Sequence, residues 1–203
     1  MLGLVGGVGS GKSAVANCVK SRRSVAIIDA DKAGHHVLTE SSIKNRIQRR
    51  FGKSVIDERG EVVRAALGRL VFGSTDEHRQ ARIDLERIVH PQIRKILQEQ
   101  IEHAKASGDV EAVFLDAAVL FEAGWNDLCD SVVYIDAPLA TRRRRVAESR
   151  GWSIDVLEQR ESNQWPLDRK QEAADDIADN SGCLDVAAKQ LEQLLELILQ
   201  ATS

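Results

Sequence analysis

The sequence predicts an α/β fold, a parallel five-stranded sheet wrapped by helices in three layers. Two observations carry this reading. Short apolar runs, "LGLV", "SVAII", "EAVFLD" and "SVVYID", alternate with helical patterns along the 203 residues, and the last two are continuously apolar, as in strands buried on both faces. In addition, a glycine-rich turn, "GGVGSGKSAVA", joins the first strand directly to a helix.

The elements follow in order. The first strand is only Leu2 to Val5, a clipped central strand unless the natural start lies upstream of Met1. A helix follows from Gly11 to about Val19. The second strand, Ser24 to Ile28, is rich in β-branched residues and ends at Asp29. Helices are expected over Lys32 to Thr39, Ser42 to Phe51, Val62 to Phe72 and Asp76 to about Lys105. Pro91 should break or kink the last of these, and Ser107-Gly108 should end it. Glu111 to Asp116 and Ser131 to Asp136 are the third and fourth strands, and "DIADN" is a weak fifth. From Arg142 to Ala174 the patterns are helical and highly charged, and an amphipathic helix, Leu184 to Leu199, closes the chain.

Composition excludes several classes. A net charge of −3 with 29% charged residues gives mixed-sign helix surface, not the basic field of a nucleic-acid binder. No apolar run approaches the ~18 residues of a membrane span, and no basic stretch precedes the N-terminus as in a signal peptide. Cys18, Cys129 and Cys183 are odd in number and widely spaced, which favours a reducing cytoplasm over a disulfide framework or a zinc site.

Gly6, four residues, then Gly11-Lys12-Ser13 fits G-x-x-x-x-G-K-[ST] in its strand–turn–helix context. Glycines let backbone N–H groups approach phosphate oxygens, and the following helix directs its positive end at the same anion. Lys12 would reach the β- and γ-phosphates and Ser13 would hold Mg²⁺.

What receives the phosphoryl group is a separate matter. "DKAG" falls too soon after the loop for a GTPase-type switch, and no N-K-x-D stretch exists. An ATPase or nucleotide-gated binding module would use a strand-end acid, and Asp116 is available. A small-molecule kinase would use a carboxylate after the second strand, in "IIDADKAG", to take a proton from an attacking hydroxyl. On the residues alone, Asp31 reads equally as that base or as the N-cap of the following helix. Gly34 stands where a capping box would need Glu or Gln.

"GLVGGVGSGKS", "IDAD", "VVRAALGRLVF", "LERIVHPQIR" and "ADDIADNSG", in that order, resemble the motifs of the dephospho-CoA kinase family. The resemblance implies a P-loop kinase fold and transfer of the ATP γ-phosphoryl to the ribose 3′-hydroxyl of dephospho-CoA, the last step of coenzyme A synthesis. A P-loop kinase for another hydroxyl or nucleotide acceptor is the alternative. The resemblance implies ATP binding by Gly7, Val8, Gly9, Ser10, Gly11, Lys12, Ser13 and Ala14, with Asn180 beside the adenine. It makes Asp31 the general base and sets Arg64, His90 and Asp116 near the acceptor, where a surface ion pair and a helix cap are the plain alternatives for Arg64 and His90. A proline common in the family after the third strand is replaced by Ala118. In "TRRRRVAESR" the family's lid arginine falls on Arg145 counted from Asp136 and on Arg144 counted from Pro138; Arg145 is preferred. Arg142 shares its helix face and Arg143 does not. Arg160 and Gln164 match the lid helix. His35 and His36, neighbours that point apart on a helix, read as a helix face and not as a metal pair. Trp125, Trp152 and Trp165 read as packing anchors.

The chain thus reads as one domain: a core of residues 1–37, 106–141 and 175–203, an acceptor-binding helical region 38–105 and a lid 142–169. The expected partners are ATP, Mg²⁺ and dephospho-CoA, with no nucleic acid or membrane, in a monomer or small homo-oligomer.

Overall fold

The computed structural model describes residues 1–73 and 75–201. Among them the chain runs β1 (Leu2–Val5), α1 (Lys12–Lys20), β2 (Val25–Asp29), α2 (Ala30–Val37), α3 (Ser41–Phe51), α4 (Arg64–Val71) and α5 (Asp76–Ala106). It continues through β3 (Ala112–Asp116), β4 (Ser131–Asp136), α6 (Leu139–Arg150), α7 (Ile154–Glu161), α8 (Leu167–Glu172), β5 (Asp176–Asp179) and α9 (Leu184–Ala201). All strands are parallel, in the order β2-β3-β1-β4-β5. The short first strand is therefore central.

Why these runs become central strands is visible in their burial. Every residue of β1, and all but the last of β3 and β4, is buried, so both faces are covered. One face packs Leu2, Leu4, Phe114, Val133 and Ile135 against Val15, Ala16 and Val19 of α1 and Ala187, Ala188, Leu191 and Leu195 of α9. Each fully buried leucine here stabilises the fold by about 1.5–3 kcal/mol. The register aligns the strand ends: Asp29 lies opposite Asp116, Leu4 opposite Asp116, and Asp136 opposite Asp179. Four carboxylates thus stand at the C-terminal edge, where open α/β sheets bind ligands.

The chain divides into two compact units. One comprises Met1–Asp29 with Gln100–Ser203 and contains the whole sheet; the other is Ala30–Glu99. In the second unit, α5 runs on through Pro91 without a break. Proline removes a donor and costs about 3 kcal/mol inside a helix; buried Ile88 and Ile93 flank it, and Arg46 Nη1 donates to the Ile88 carbonyl at 3.3 Å. Packing of these two isoleucines outweighs the local preference. Helix α2 begins at Ala30, so Asp31 lies in its first turn and is not the cap of a helix starting at Lys32.

Candidate active site

The glycine-rich turn is held by what lies outside it. Gly9 has φ +80°, and a Cβ there would lie 2.8 Å from the Arg142 carbonyl oxygen and from Val146 Cγ1, so α6 rests directly on the loop. Gly11, the N-cap of α1, has φ +90°, and a Cβ would meet Asn180 Nδ2 at 2.5 Å. Only glycine satisfies both the left-handed backbone and these approaches.

Four side chains brace the loop's polar backbone. Arg142 Nη1 donates to the Val8 carbonyl at 3.3 Å, its Nε to the Ala137 carbonyl at 3.2 Å, and it pairs with Glu161. Glu161 Oε1 accepts the Val8 N–H at 3.0 Å, so both backbone groups of Val8 are held by one ion pair. Arg145 Nη1 and Asn180 Nδ2 donate to the Ser10 carbonyl at 3.0 and 2.7 Å, and Arg145 Nη2 donates to the Asn180 carbonyl at 2.9 Å. A trans peptide points its C=O and N–H in opposite directions. Drawing the Val8 and Ser10 carbonyls toward arginines therefore turns the Gly9 and Gly11 N–H groups the other way, which makes a cradle for an anion.

Gly7 and Ser10 are buried, Val8 and Gly9 half-buried, and Ser10 N–H closes a turn onto the Gly7 carbonyl at 3.0 Å. Lys12, Ser13 and Ala14 form the first turn of α1, which directs its positive end at the loop. The Ser13 hydroxyl donates to Asp116 at the end of β3. The structure therefore brings Gly7 to Ala14, Asp116, Arg145 and Asn180 together in one unit. Asp31, Arg64 and His90 belong to the other, where Arg64 Nη2 lies 2.7 Å from His35 Nε2 and burial lowers the His90 pKa.

The arginine cluster divides as helical spacing requires. Arg142 and Arg145 face the loop, Arg143 donates to Glu158 at 3.0 Å, and Arg144 is exposed. Arg160 and Arg150 lie over the Trp152 ring, at 4.2 and 4.6 Å from its centroid, and Arg169 lies over Trp165 at 3.4 Å. Trp125 is buried.

Sequence reasoning did not select Arg142 or Glu161 for this site. Arg142 carried a signal, the helix face it shares with Arg145. Glu161 did not, since its partners Val8 and Arg142 are distant in sequence.

Comparison with known proteins agrees along nearly the whole chain. The family described as dephospho-CoA kinase (CoaE) matches residues 1–185. The dephospho-CoA kinase of Carboxydothermus hydrogenoformans is 32% identical over 97% of this chain and 93% of its own. The Thermus thermophilus protein TT1252 superposes with a TM-score of 0.79 at 30% identity, covering 97% and 96% of the two chains. The dephospho-CoA kinase from Campylobacter jejuni, 21% identical and with a TM-score of 0.69 over 100% and 98% of the chains, has the same fold. A parallel sheet whose central strand runs through a phosphate-type loop into α1, matched in this way from end to end, is a P-loop kinase fold, and the chain belongs to the dephospho-CoA kinase family.

Proposed function

We propose that the protein transfers the γ-phosphoryl group of ATP to the ribose 3′-hydroxyl of dephospho-CoA, in the cytoplasm, as a monomer or small homo-oligomer. The observation that carries this reading is the Ser13–Asp116 contact beside a loop whose N–H groups are turned inward by Arg142, Arg145 and Asn180. In this reading Gly7 to Ala14 cradle the donor phosphates and Lys12 reaches the β- and γ-phosphates. Asn180 lies beside the adenine.

Ser13 and Asp116 offer a hydroxyl and a carboxylate side by side, hard oxygen donors that suit Mg²⁺. These two side chains would hold Mg²⁺ there, and the ion would supply positive charge against the negative charge that develops in phosphoryl transfer. Arg145 spends two of its donors on the Ser10 and Asn180 carbonyls. It shapes the loop and adds positive charge next to the transferring group.

The acceptor belongs to the unit Ala30–Glu99 in this proposal, and residues 142–169 form the lid. Asp31 takes the proton from the 3′-hydroxyl as its oxygen attacks phosphorus; Arg64 and His90 hold the acceptor. Such a base contributes about 10²–10⁴-fold. The place of Asp31 inside the first turn of α2, where it is no N-cap, supports this role over the plain one. Most of the acceleration comes from positioning and charge stabilisation, because the transferred group needs little covalent help.

An ADP-release assay with and without dephospho-CoA tests the proposal. Release that depends on dephospho-CoA, with one phosphate gained on the ribose by mass spectrometry, is the expected result. Equal release without any acceptor would instead favour the ATPase module, and release driven only by another hydroxyl compound would favour the other kinase reading.

A further inference from the structure

Lys170, in α8, has no solvent exposure. Lysine is almost never fully buried without partners, because an ammonium out of water must be paired or lose its proton. Its Nζ donates to the Ala118 carbonyl at 2.7 Å and to Gln164 Oε1 at 2.9 Å, and lies 2.9 Å from Glu122 Oε1. Three N–H donors meet three oxygens, which leaves none for a ligand. Glu122 Oε1 also accepts the Trp165 backbone N–H at 2.7 Å, and the Trp165 ring stacks on Phe121 with centroids 5.6 Å apart. Desolvation draws the Lys170 pKa down while the hydrogen bond with Glu122 pushes it up.

The two ends of this contact are informative. Ala118 lies two residues after Asp116, the carboxylate that accepts from Ser13, and Ala117 between them is buried. Gln164 and Trp165 link α7 to α8. A buried charge that grips a carbonyl one turn beyond a strand end restrains that strand end more firmly than a neutral hydrogen bond would.

We infer that Lys170 is a positioning residue of the phosphoryl-transfer site. It fastens the 164–170 segment to the turn after β3 and so fixes the Asp116 carboxylate on Ser13. The inference rests on the proposed role of Ser13 and Asp116 as the Mg²⁺-holding pair.

The test is the double variant Lys170→Met/Glu122→Gln, which removes both charges and keeps an acceptor for the Trp165 N–H. It should stay folded and lose less melting temperature than either single variant, since neither partner is left as an unpaired charge. Calorimetric binding of ATP with Mg²⁺, in the absence of any acceptor, should weaken about 10- to 100-fold. ATP binding without Mg²⁺ should be unchanged, and kcat should fall while KM for dephospho-CoA holds. A folded double variant with parental Mg²⁺-dependent affinity and kcat overturns the inference. If the double variant does not fold, hydrogen exchange on the parent protein decides. A Trp165 amide as slow as those of the sheet supports the clamp, and exchange at the rate of an open loop overturns it. Failure of the parent protein to phosphorylate dephospho-CoA would overturn the substrate reading alone, because the calorimetry needs no acceptor.

Discussion

The two units use the same charged residues for opposite purposes. In the loop-bearing unit Arg142 and Lys170 are buried and spend their donors on the Val8, Ala137 and Ala118 carbonyls as well as on Glu161 and Glu122. In the unit Ala30–Glu99 the ion pairs are peripheral: Lys44 with Glu61 at 2.8 Å and Arg50 with Asp84 at 2.7 Å, where Glu61 and Arg50 are exposed by 51% and 44%. One partner of each of these pairs stays in water, so each pair adds little. The first set is desolvated, and truncating one partner strands the other. Buried charges here are architecture, whereas exposed ones can be exchanged at small cost to the fold.

The sharpest way to break this contrast is Arg142→Ala. It leaves the Glu161 carboxylate without its cation and the Val8 carbonyl without its donor, and stability should fall by about 3–5 kcal/mol, with loss of ATP binding; a melting temperature within a few degrees of the parent's would show that the loop stands without its brace. Asp31→Asn should do the reverse. Turnover should drop at least ~10²-fold while the melting temperature and ATP affinity hold, as measured by ADP release beside calorimetry.

His90 tests whether the second unit also hides a sensitive group. Burial lowers its pKa, so the folded state prefers the neutral ring. Its stabilising share is complete above the unfolded value of about 6.5. That share is lost as pH falls from there toward the lower folded value, where the unfolded chain binds the proton first. Denaturation midpoints should therefore decline below that pH, and His90→Gln should flatten the decline. Smallest of all, Lys44→Ala should change unfolding free energy by about 0.2–1 kcal/mol, read from urea titration.

The sheet was legible because parallel strands buried on both faces leave an uninterrupted apolar signature, which even the four-residue β1 shows; the edge strand β5, buried only at Ala178, lacks it and reads weakly. The loop was legible because its glycines answer a steric demand that few other turns make. Pro91 does not end α5 because helix propensity is local, while the packing of Ile88 and Ile93 is not. The role of Asp31 stays open on the residues alone because α2 starts without a gap after β2, and no turn residue marks the junction. Lys170 was invisible for a different reason. In "LDRKQE" it reads as one more solvated charge, and its carboxylate partner in "FEAGW" lies in another element. Charge patterns reveal neighbours along a helix; they say nothing about which charge the tertiary fold will take out of water.

The packing of α9 on α1 separates the glycine motif from what shapes it. The layer beneath α1, Ala187, Ala188, Leu191 and Leu195, and Asn180, which holds the Ser10 carbonyl, all lie more than 160 residues further along the chain. A chain truncated before residue 180 would carry every glycine of the loop and none of these supports.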